Sequence, residues 1–326
     1  MRPVRTVCLL ALLGLMLGVS PLSAQIEDSQ QELPGLIPLP LPPKLPPEDA
    51  PKFKPLVEDV PGEWILPPEL LESLQWTAGV YEEYARRFDC KETARLAEYD
   101  QTGAVSKEKI RTYGYLLLRG KMLEQLRESR QEIGKDGKYK AGEVFDQEPF
   151  PPAYSWVFLF SPFFEPYFDF RLLDTRFEGF DLVHEIQFRG SLPFTDGKDI
   201  RQWQGRVLVD RFRYTPLLIE AEPTGQSERL EALYRLWAKS FNVLGFRTGK
   251  KPLGYEASIE FGFRKGDLTF PTALRYDTRR AVSPYQLVTI QASTRTYSGY
   301  RFTGVTAEPT IGNVVRPDSR PDGSEP

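Results

Sequence analysis

The alternation of apolar and polar positions is the clearest pattern in this chain, and it is sharpest over residues 255–263. Every second position there is apolar, and small or charged residues lie between; the apolar positions are Tyr255, Ala257, Ile259, Phe261 and Phe263. A period of two is typical of an antiparallel strand with one buried face. Because weaker forms of the pattern recur through the C-terminal half, we predict a mostly β (α+β) protein.

Further segments complete this prediction. Strands are predicted over residues 90–99, 109–118, 167–177, 181–190, 203–209, 217–221, 268–276 and 285–302. A period near 3.6 residues predicts helices over 67–88 and 227–244. Residues 122–132 fit a strand or a helix equally well. The expected architecture is a strongly curved antiparallel sheet, or half-barrel, wrapped on one or two helices and an aromatic segment.

The aromatic segment, Pro149 to Pro166, concentrates Phe, Tyr and Trp between prolines. Prolines at both ends exclude a long regular element. Two interpretations remain open at this point: a short helix or plug buried against the sheet, or an exposed aromatic lip at the mouth of a cavity.

The first 24 residues have the pattern of a cleavable leader. Arg2 and Arg5 precede an apolar stretch from Val7 to Val19, and small residues follow up to Ala24. This is the pattern of a signal peptide with cleavage near Ala24. We therefore expect the protein to be periplasmic or secreted.

Proline recurs every few residues between Pro34 and Pro68, which favours an extended chain without regular hydrogen bonds. We predict a disordered spacer over residues 25–66, a single β-rich domain over 67–310 and a disordered tail over 311–326. The spacer is either a stiff leader or an arm that holds protein partners of the cell envelope.

Charge and cysteine content narrow the class of protein. The formal net charge is −3, and this mild acidity argues against nucleic acid as a partner. Cys8 lies in the leader, so Cys90 remains as the single cysteine of the exported chain and no internal disulfide is expected. We interpret Cys90 as a small buried apolar side chain.

Candidate chemistry is sparse. The one histidine, His184, lies between Leu182 and Ile186 on a strand face, which favours a structural role over a catalytic one, and no second histidine stands at metal-binding spacing. Strand carboxylates could in principle serve a glycosidase, but they are typical of a solvated face: Asp169, Asp174, Glu178, Asp181, Glu185, Asp210, Glu220 and Glu222. A set of arginines fits either an anionic head group or cross-strand pairing: Arg171, Arg176, Arg189, Arg206, Arg211 and Arg213. We expect no enzyme activity, no cofactor and no metal.

Two strands joined by a turn carry a resemblance to a known family. Gly205 to Asp210 followed by Thr215 to Glu220, and later Leu268 to Thr272, resemble the bacterial outer-membrane lipoprotein-sorting (LolA-like) proteins over about Phe88 to Phe302. The resemblance implies a half-barrel fold and a periplasmic carrier with an apolar cavity for acyl chains. It brings no catalytic residues with it.

Together these features predict a non-catalytic exported protein that binds a lipid, a lipoprotein or another apolar ligand on the concave face of its sheet. The partner would be a lipid or a lipidated protein. The predicted lining residues are Leu182, Ile186, Phe188, Val207, Val209, Tyr255, Ile259, Phe261, Phe263, Leu274 and Tyr276. The alternative is a structural or adaptor protein that uses the Pro34–Pro68 arm and the sheet edges to bind envelope proteins. The sequence leaves open whether the apolar face is a cavity or filled core.

Overall fold

The computed structural model describes residues 53, 55–56, 62–84, 87–119, 126–140, 150–190, 202–239, 252–283 and 286–302. Within them the chain forms one eleven-stranded antiparallel sheet and two α-helices, which confirms the predicted mostly β class. The helices are α1 (Pro68–Tyr84) and α2 (Gln226–Lys239). The strands are β1 (Arg87–Tyr99), β2 (Val105–Arg119), β3 (Leu126–Ile133), β4 (Tyr139–Lys140), β5 (Phe168–Glu178), β6 (Asp181–Gly190), β7 (Trp203–Asp210), β8 (Pro216–Pro223), β9 (Leu253–Lys265), β10 (Leu268–Ser283) and β11 (Gln286–Phe302).

The sheet is open and strongly curved. Its strand order is β4-β3-β2-β1-β11-β10-β9-β8-β7-β6-β5, so the first and last long strands pair near its middle. In a flat sheet β1 and β6 would lie about 29 Å apart, at about 4.8 Å for each strand step. Yet Tyr154 contacts Phe88 of β1 (ring centroids 4.9 Å apart) and Trp156 contacts Phe188 of β6 (5.5 Å). Two side chains of one short segment reach both strands because the sheet bends around that segment.

Helix α1 lies on the concave face. Its buried side chains, which include Leu74 and Tyr81, belong to the main hydrophobic cluster. The Tyr81 hydroxyl donates a hydrogen bond to the Thr269 carbonyl oxygen at 2.7 Å and accepts one from the Thr269 amide at 3.0 Å. The helix ends at Tyr84 instead of the predicted residue 88, because Phe88 alternates with Cys90 along β1 and points into the same aromatic core.

Helix α2 packs beside a second, smaller cluster. Leu230 and Tyr234 of α2 meet Ala281 of β10 there, and Phe53 from the proline-rich segment completes the cluster. Gly254 of β9 permits the approach, because a Cβ at this position would lie 3.1 Å from Leu230 Cδ1. Residues 240–244, the predicted end of the helix, lie outside the described residues.

The proline-rich segment contacts the domain in its described part, where a disordered spacer had been expected. Phe53 is buried in the α2 cluster, and the Leu56 amide donates a hydrogen bond to Glu222 Oε1 at 3.1 Å. Trp64 lies between two guanidinium groups, with Arg171 Cζ 4.5 Å and Arg189 Cζ 4.3 Å from its ring. These apolar and cation–π contacts add part of the predicted spacer to the folded unit.

Other expectations have mixed outcomes. The ambiguous 122–132 segment forms β3 from Leu126 onward. Gly179 occupies the predicted β5–β6 turn with φ +61°, a conformation that favours glycine. The leader 1–24, most of the spacer, the tail 311–326 and residues 122–125 lie outside the described residues. None of the helices in the described part of the chain is long and apolar enough to cross a bilayer.

Candidate functional site: the concave face

The concave face of the sheet is an apolar wall over β6 to β10. Most of the predicted lining residues are fully buried in the main cluster: Ile186, Phe188, Val207, Val209, Ile259, Phe261, Leu274 and Tyr276. Tyr255 and Phe263 are partly buried and pack against that cluster. Leu182 is half-buried and pairs with Phe177 across the β5–β6 hairpin. Strand alternation therefore placed these side chains together, and their role as ligand contacts stays a prediction.

The aromatic segment fills this face. Residues 153–160 are all buried, and a 3-10 helix runs from Ala153 to Phe158. Phe150 stacks on Trp156 with ring centroids 5.1 Å apart and meets Trp203 of β7 edge-on at 4.8 Å. Tyr154 lies parallel to Phe270 of β10 at 6.1 Å. Of the two interpretations, the buried plug is the one that the structure shows.

Side-chain packing dominates the attachment of this segment. Its backbone hydrogen bonds within the described residues are local, for example Ser155 N to Pro152 O and Ser161 N to Phe158 O. A side-chain bond reaches α1, from Gln75 Nε2 to Glu165 Oε2 at 3.1 Å. Trp156 Nε1 and Ser161 Oγ are buried without a hydrogen-bond partner in the described structure, and each such group costs about 1–3 kcal/mol. The segment is thus an apolar occupant whose backbone is not built into the sheet.

A half-buried aromatic rim borders the face where β9 and β11 end. Phe263 stacks on Tyr300, with ring centroids 4.8 Å apart, and lies parallel to Phe302 at 6.4 Å. Lys265 Nζ lies 5.4 Å from the centre of the Phe302 ring. Burial raises the pKa of the Tyr300 hydroxyl, which donates a hydrogen bond to the Pro271 carbonyl oxygen at 2.5 Å. We call Phe263, Tyr300 and Phe302 the aromatic rim.

A buried ion cluster lies on the β11–β1–β2–β3 part of the same sheet. Glu92 accepts hydrogen bonds from Arg130 Nε at 2.9 Å and from Arg295 Nη1 at 3.3 Å. Burial, followed by the charges of Glu92 and Asp89, raises the pKa of the Cys90 thiol to about 12. The thiol is therefore protonated at neutral pH, which agrees with the structural role expected for Cys90.

Glu92 is the main feature that sequence reasoning did not single out. It alternates with Cys90 and Ala94 along β1, so the strand period could have placed a carboxylate among inward-facing positions. Its partner Arg295 is 203 positions away in the chain, and no local pattern indicates that pairing.

Most of the other candidate groups are engaged in structural contacts. His184 Nδ1 lies 2.9 Å from Thr175 Oγ1, and burial together with the Arg211 charge lowers its pKa. Arg206 bridges Glu185 and Glu220 across three strands, and Arg189 pairs with Asp169, which is the cross-strand alternative foreseen for the arginines. In the described ranges no group of His, Cys, Asp and Glu side chains could hold a metal ion.

A small polar cavity lies at the opposite end of β5 to β8, away from the aromatic rim. Its volume is about 220 Å³, below the roughly 300–1,000 Å³ of typical ligand pockets. Its walls come from Pro166, Tyr167, Phe168, Asp169, Arg189, Gly190, Gln202 and Thr224. An acyl chain would find a matching apolar surface on the concave face and not here.

Comparisons with known proteins find similar folds only among solved structures of low sequence identity. No protein-family model matches the sequence, and no curated protein matches it. Among solved structures, an outer membrane lipoprotein-sorting protein domain from Vibrio parahaemolyticus is similar with a TM-score of 0.37 and 11% identity, over 73% of this chain and 94% of that one. A DUF1329 family protein from Desulfovibrio piger has a TM-score of 0.36 and 9% identity, over 73% and 94% of the two chains.

A LolA superfamily protein from Nitrosomonas europaea is similar with a TM-score of 0.31 and 12% identity, over 71% of this chain and 93% of that one. The sequence indicated a distant likeness to lipoprotein-sorting proteins, and these solved structures confirm that likeness at the level of the fold. The curved sheet places the chain in the class of open half-barrel proteins. At these identities the likeness carries no information about a ligand.

Proposed function

We propose that this protein is a non-catalytic binding protein of the cell envelope that takes the acyl chain of a lipid on the concave face of its sheet. In this proposal the aromatic segment covers the concave face in the ligand-free protein and withdraws when the acyl chain binds. One observation carries the proposal: the apolar wall is covered by the protein's own aromatic segment. Side-chain packing holds this segment on the wall, and the hydrogen bonds of its backbone are local.

Burial of the acyl chain has to offset the burial that the aromatic side chains lose when the segment withdraws, at roughly 1.5–3 kcal/mol for each fully buried ring. Burial of an acyl chain contributes about 0.8 kcal/mol for each methylene, and the chain replaces aromatic side chains on the same surface. Apolar contacts are thus exchanged for apolar contacts. Withdrawal of the segment also gives Trp156 Nε1 and Ser161 Oγ access to hydrogen-bond partners, which removes the cost of two buried unpaired groups.

Export to the periplasm is part of the same proposal, and the leader pattern of residues 1–24 supports it. Most of the candidate carboxylates and His184 make structural contacts, which supports a binding role over catalysis. In the alternative adaptor role, Phe53 and Trp64 would not serve partners, because both side chains dock on the domain.

Tryptophan fluorescence tests the exchange directly. Trp156 is buried against the concave face, whereas Trp76 of α1 is exposed. A saturated fatty acid, added below its micelle concentration, should increase acrylamide quenching in the wild type and in Trp76→Phe. The increase should be lost in Trp156→Phe. Absence of fatty-acid binding, or binding with no dependence on Trp156, would contradict the proposal. Mass spectrometry of lipid extracted from the exported protein is an independent measurement.

A further inference from the structure

The three most exposed large apolar side chains in the described part of the protein all lie at one end of the sheet. Phe177, Phe180 and Phe212 are 72%, 104% and 72% exposed. Phe177 lies near the end of β5, Phe180 lies in the β5–β6 turn and Phe212 lies in the β7–β8 turn. Consecutive antiparallel strands bring these two turns and the β9–β10 turn to the same end. We call residues 176–182, 210–215 and 264–268 the hairpin end.

Hydrogen bonds join the three turns into one unit. The Arg211 amide donates to the Leu182 carbonyl oxygen at 2.9 Å, which ties the β7–β8 turn to β6. Arg213 Nε donates to Asp267 Oδ1 at 3.3 Å, which ties it to the β9–β10 turn. Asp210 Oδ1 accepts the amides of Phe212 and Arg213, both at 2.8 Å. The turn therefore fixes the backbone from which the exposed Phe212 ring projects.

The aromatic rim lies at this same end. Phe263 precedes the β9–β10 turn by two residues, and Phe302 ends β11 opposite Phe88 at the start of β1. The phenylalanines of the hairpin end and the border of the concave apolar face therefore share one side of the molecule. A surface that receives the phenylalanines therefore lies on the side of the molecule where the rim is.

The charge of the hairpin end narrows the class of partner that this surface can bind. It contains five basic and four acidic side chains, and Asp210 and Asp267 both pair with Arg213. With a net charge near zero, attraction to an anionic surface contributes little. The three rings project from two hairpins, and each is at least 72% exposed, so none is covered by its neighbours. They suit a fluid partner into which each ring inserts separately, which is the boundary between head groups and acyl chains of a bilayer.

We propose that the hairpin end docks on a phospholipid bilayer by inserting Phe177, Phe180 and Phe212, so that the aromatic rim faces the lipid. The proposal rests on the proposed function, since it supplies the route by which an acyl chain passes between the bilayer and the concave face. Binding is apolar in origin, and we expect it to persist at high salt.

Vesicle sedimentation tests the docking. The exported chain, with its N-terminus verified by mass spectrometry, is mixed with vesicles of phosphatidylcholine. Phe180→Ser and Phe212→Ser should each lower the partition coefficient at least about tenfold, because the phenyl ring gains free energy on leaving water and the serine side chain does not. Leu236→Ser is the matched control, because this exposed residue lies on α2 away from the hairpin end. In Phe180→Trp, tryptophan emission should shift to the blue on vesicles.

Three results would overturn the docking proposal. One is absence of vesicle binding, and another is binding that the Phe180→Ser/Phe212→Ser double variant leaves unchanged. The third is a dimer in sedimentation velocity that the same double variant abolishes, which assigns the rings to a second copy. Fatty-acid binding in solution separates the two proposals. If vesicles bind and fatty acid does not, the proposed function fails alone, and the reverse result leaves the proposed function standing without the docking.

Discussion

Replacement of Glu92 by Gln should destabilise the fold strongly. The Glu92 side chain is fully buried, and the side chains of Arg295 and Arg130 are 6% and 14% exposed. Glu92→Gln removes a negative charge that lies between two guanidinium groups that water scarcely reaches. Loss of one member of a buried ion pair costs about 3–5 kcal/mol. We expect about 3 kcal/mol, because Arg130 is the more exposed of the two and has access to water.

Urea unfolding followed by circular dichroism measures this loss, and Glu98→Gln is the control. Glu98 lies on the same strand and pairs with Lys107 at 3.3 Å, but both side chains are about half exposed or more. An exposed pair of this kind contributes about 0–1 kcal/mol. In thermal unfolding the Glu92 variant should lose roughly 10 °C, at about 2–4 °C for each kcal/mol in a domain of this size.

The reasoning is refuted if Glu92→Gln and Glu98→Gln cost the same. It also fails if Glu92→Gln costs less than about 1 kcal/mol, because the charge of Glu92 would then contribute no more than an exposed ion pair does.

Two further predictions concern Glu222 and a pair of glycines. Burial raises the pKa of Glu222, so the folded state keeps this proton to a higher pH than the unfolded chain, and the contribution of Glu222 to stability falls as pH rises from about 4.3 through the folded pKa. Glu222→Gln should flatten this part of the urea-midpoint profile above about pH 4, and an unchanged slope would contradict the prediction. Gly205→Ala should destabilise by at least about 1–3 kcal/mol, because its Cβ would lie 1.9 Å from the Glu220 carbonyl oxygen. Gly79→Ala on α1, where a Cβ meets nothing within 4 Å, should instead stabilise by about 0.5–1 kcal/mol, and unfolding midpoints that move in the same direction for both would count against it.

Local patterns were sufficient for most of the sheet. Alternation over Tyr255 to Phe263 identified β9 and the face that it buries, because a half-buried strand leaves the same period in any context. The end of α1 was misplaced, since Phe88 continues an apolar stripe with helical spacing while its actual neighbours are aromatic residues from other strands. Local spacing contains no information about those neighbours.

The site was harder to predict for the same reason. The sequence offered the aromatic segment either as a plug or as a lip, and the choice depends on contacts such as Trp156 with Phe188 and Tyr154 with Phe270. The docking of Trp64 between Arg171 and Arg189 likewise joins elements that are distant in the chain. A proline-rich composition gave no signal of these contacts, because the few apolar residues that make them are scattered along it.

The pairing of β1 with β11 in the middle of the sheet has a consequence for folding. Within β1 to β4 and within β5 to β11, each strand pairs with the strand that follows it in the sequence. The seam between these two parts of the sheet pairs β1 with β11 and sets Phe88 opposite Phe302. Such a distant pairing has a high entropic cost of loop closure and is slow to form. During synthesis from the N-terminus, one edge of β1 therefore stays unpaired until β11 has been made. Completion of the sheet, and of the aromatic core that spans the seam, must wait for the last strand of the domain.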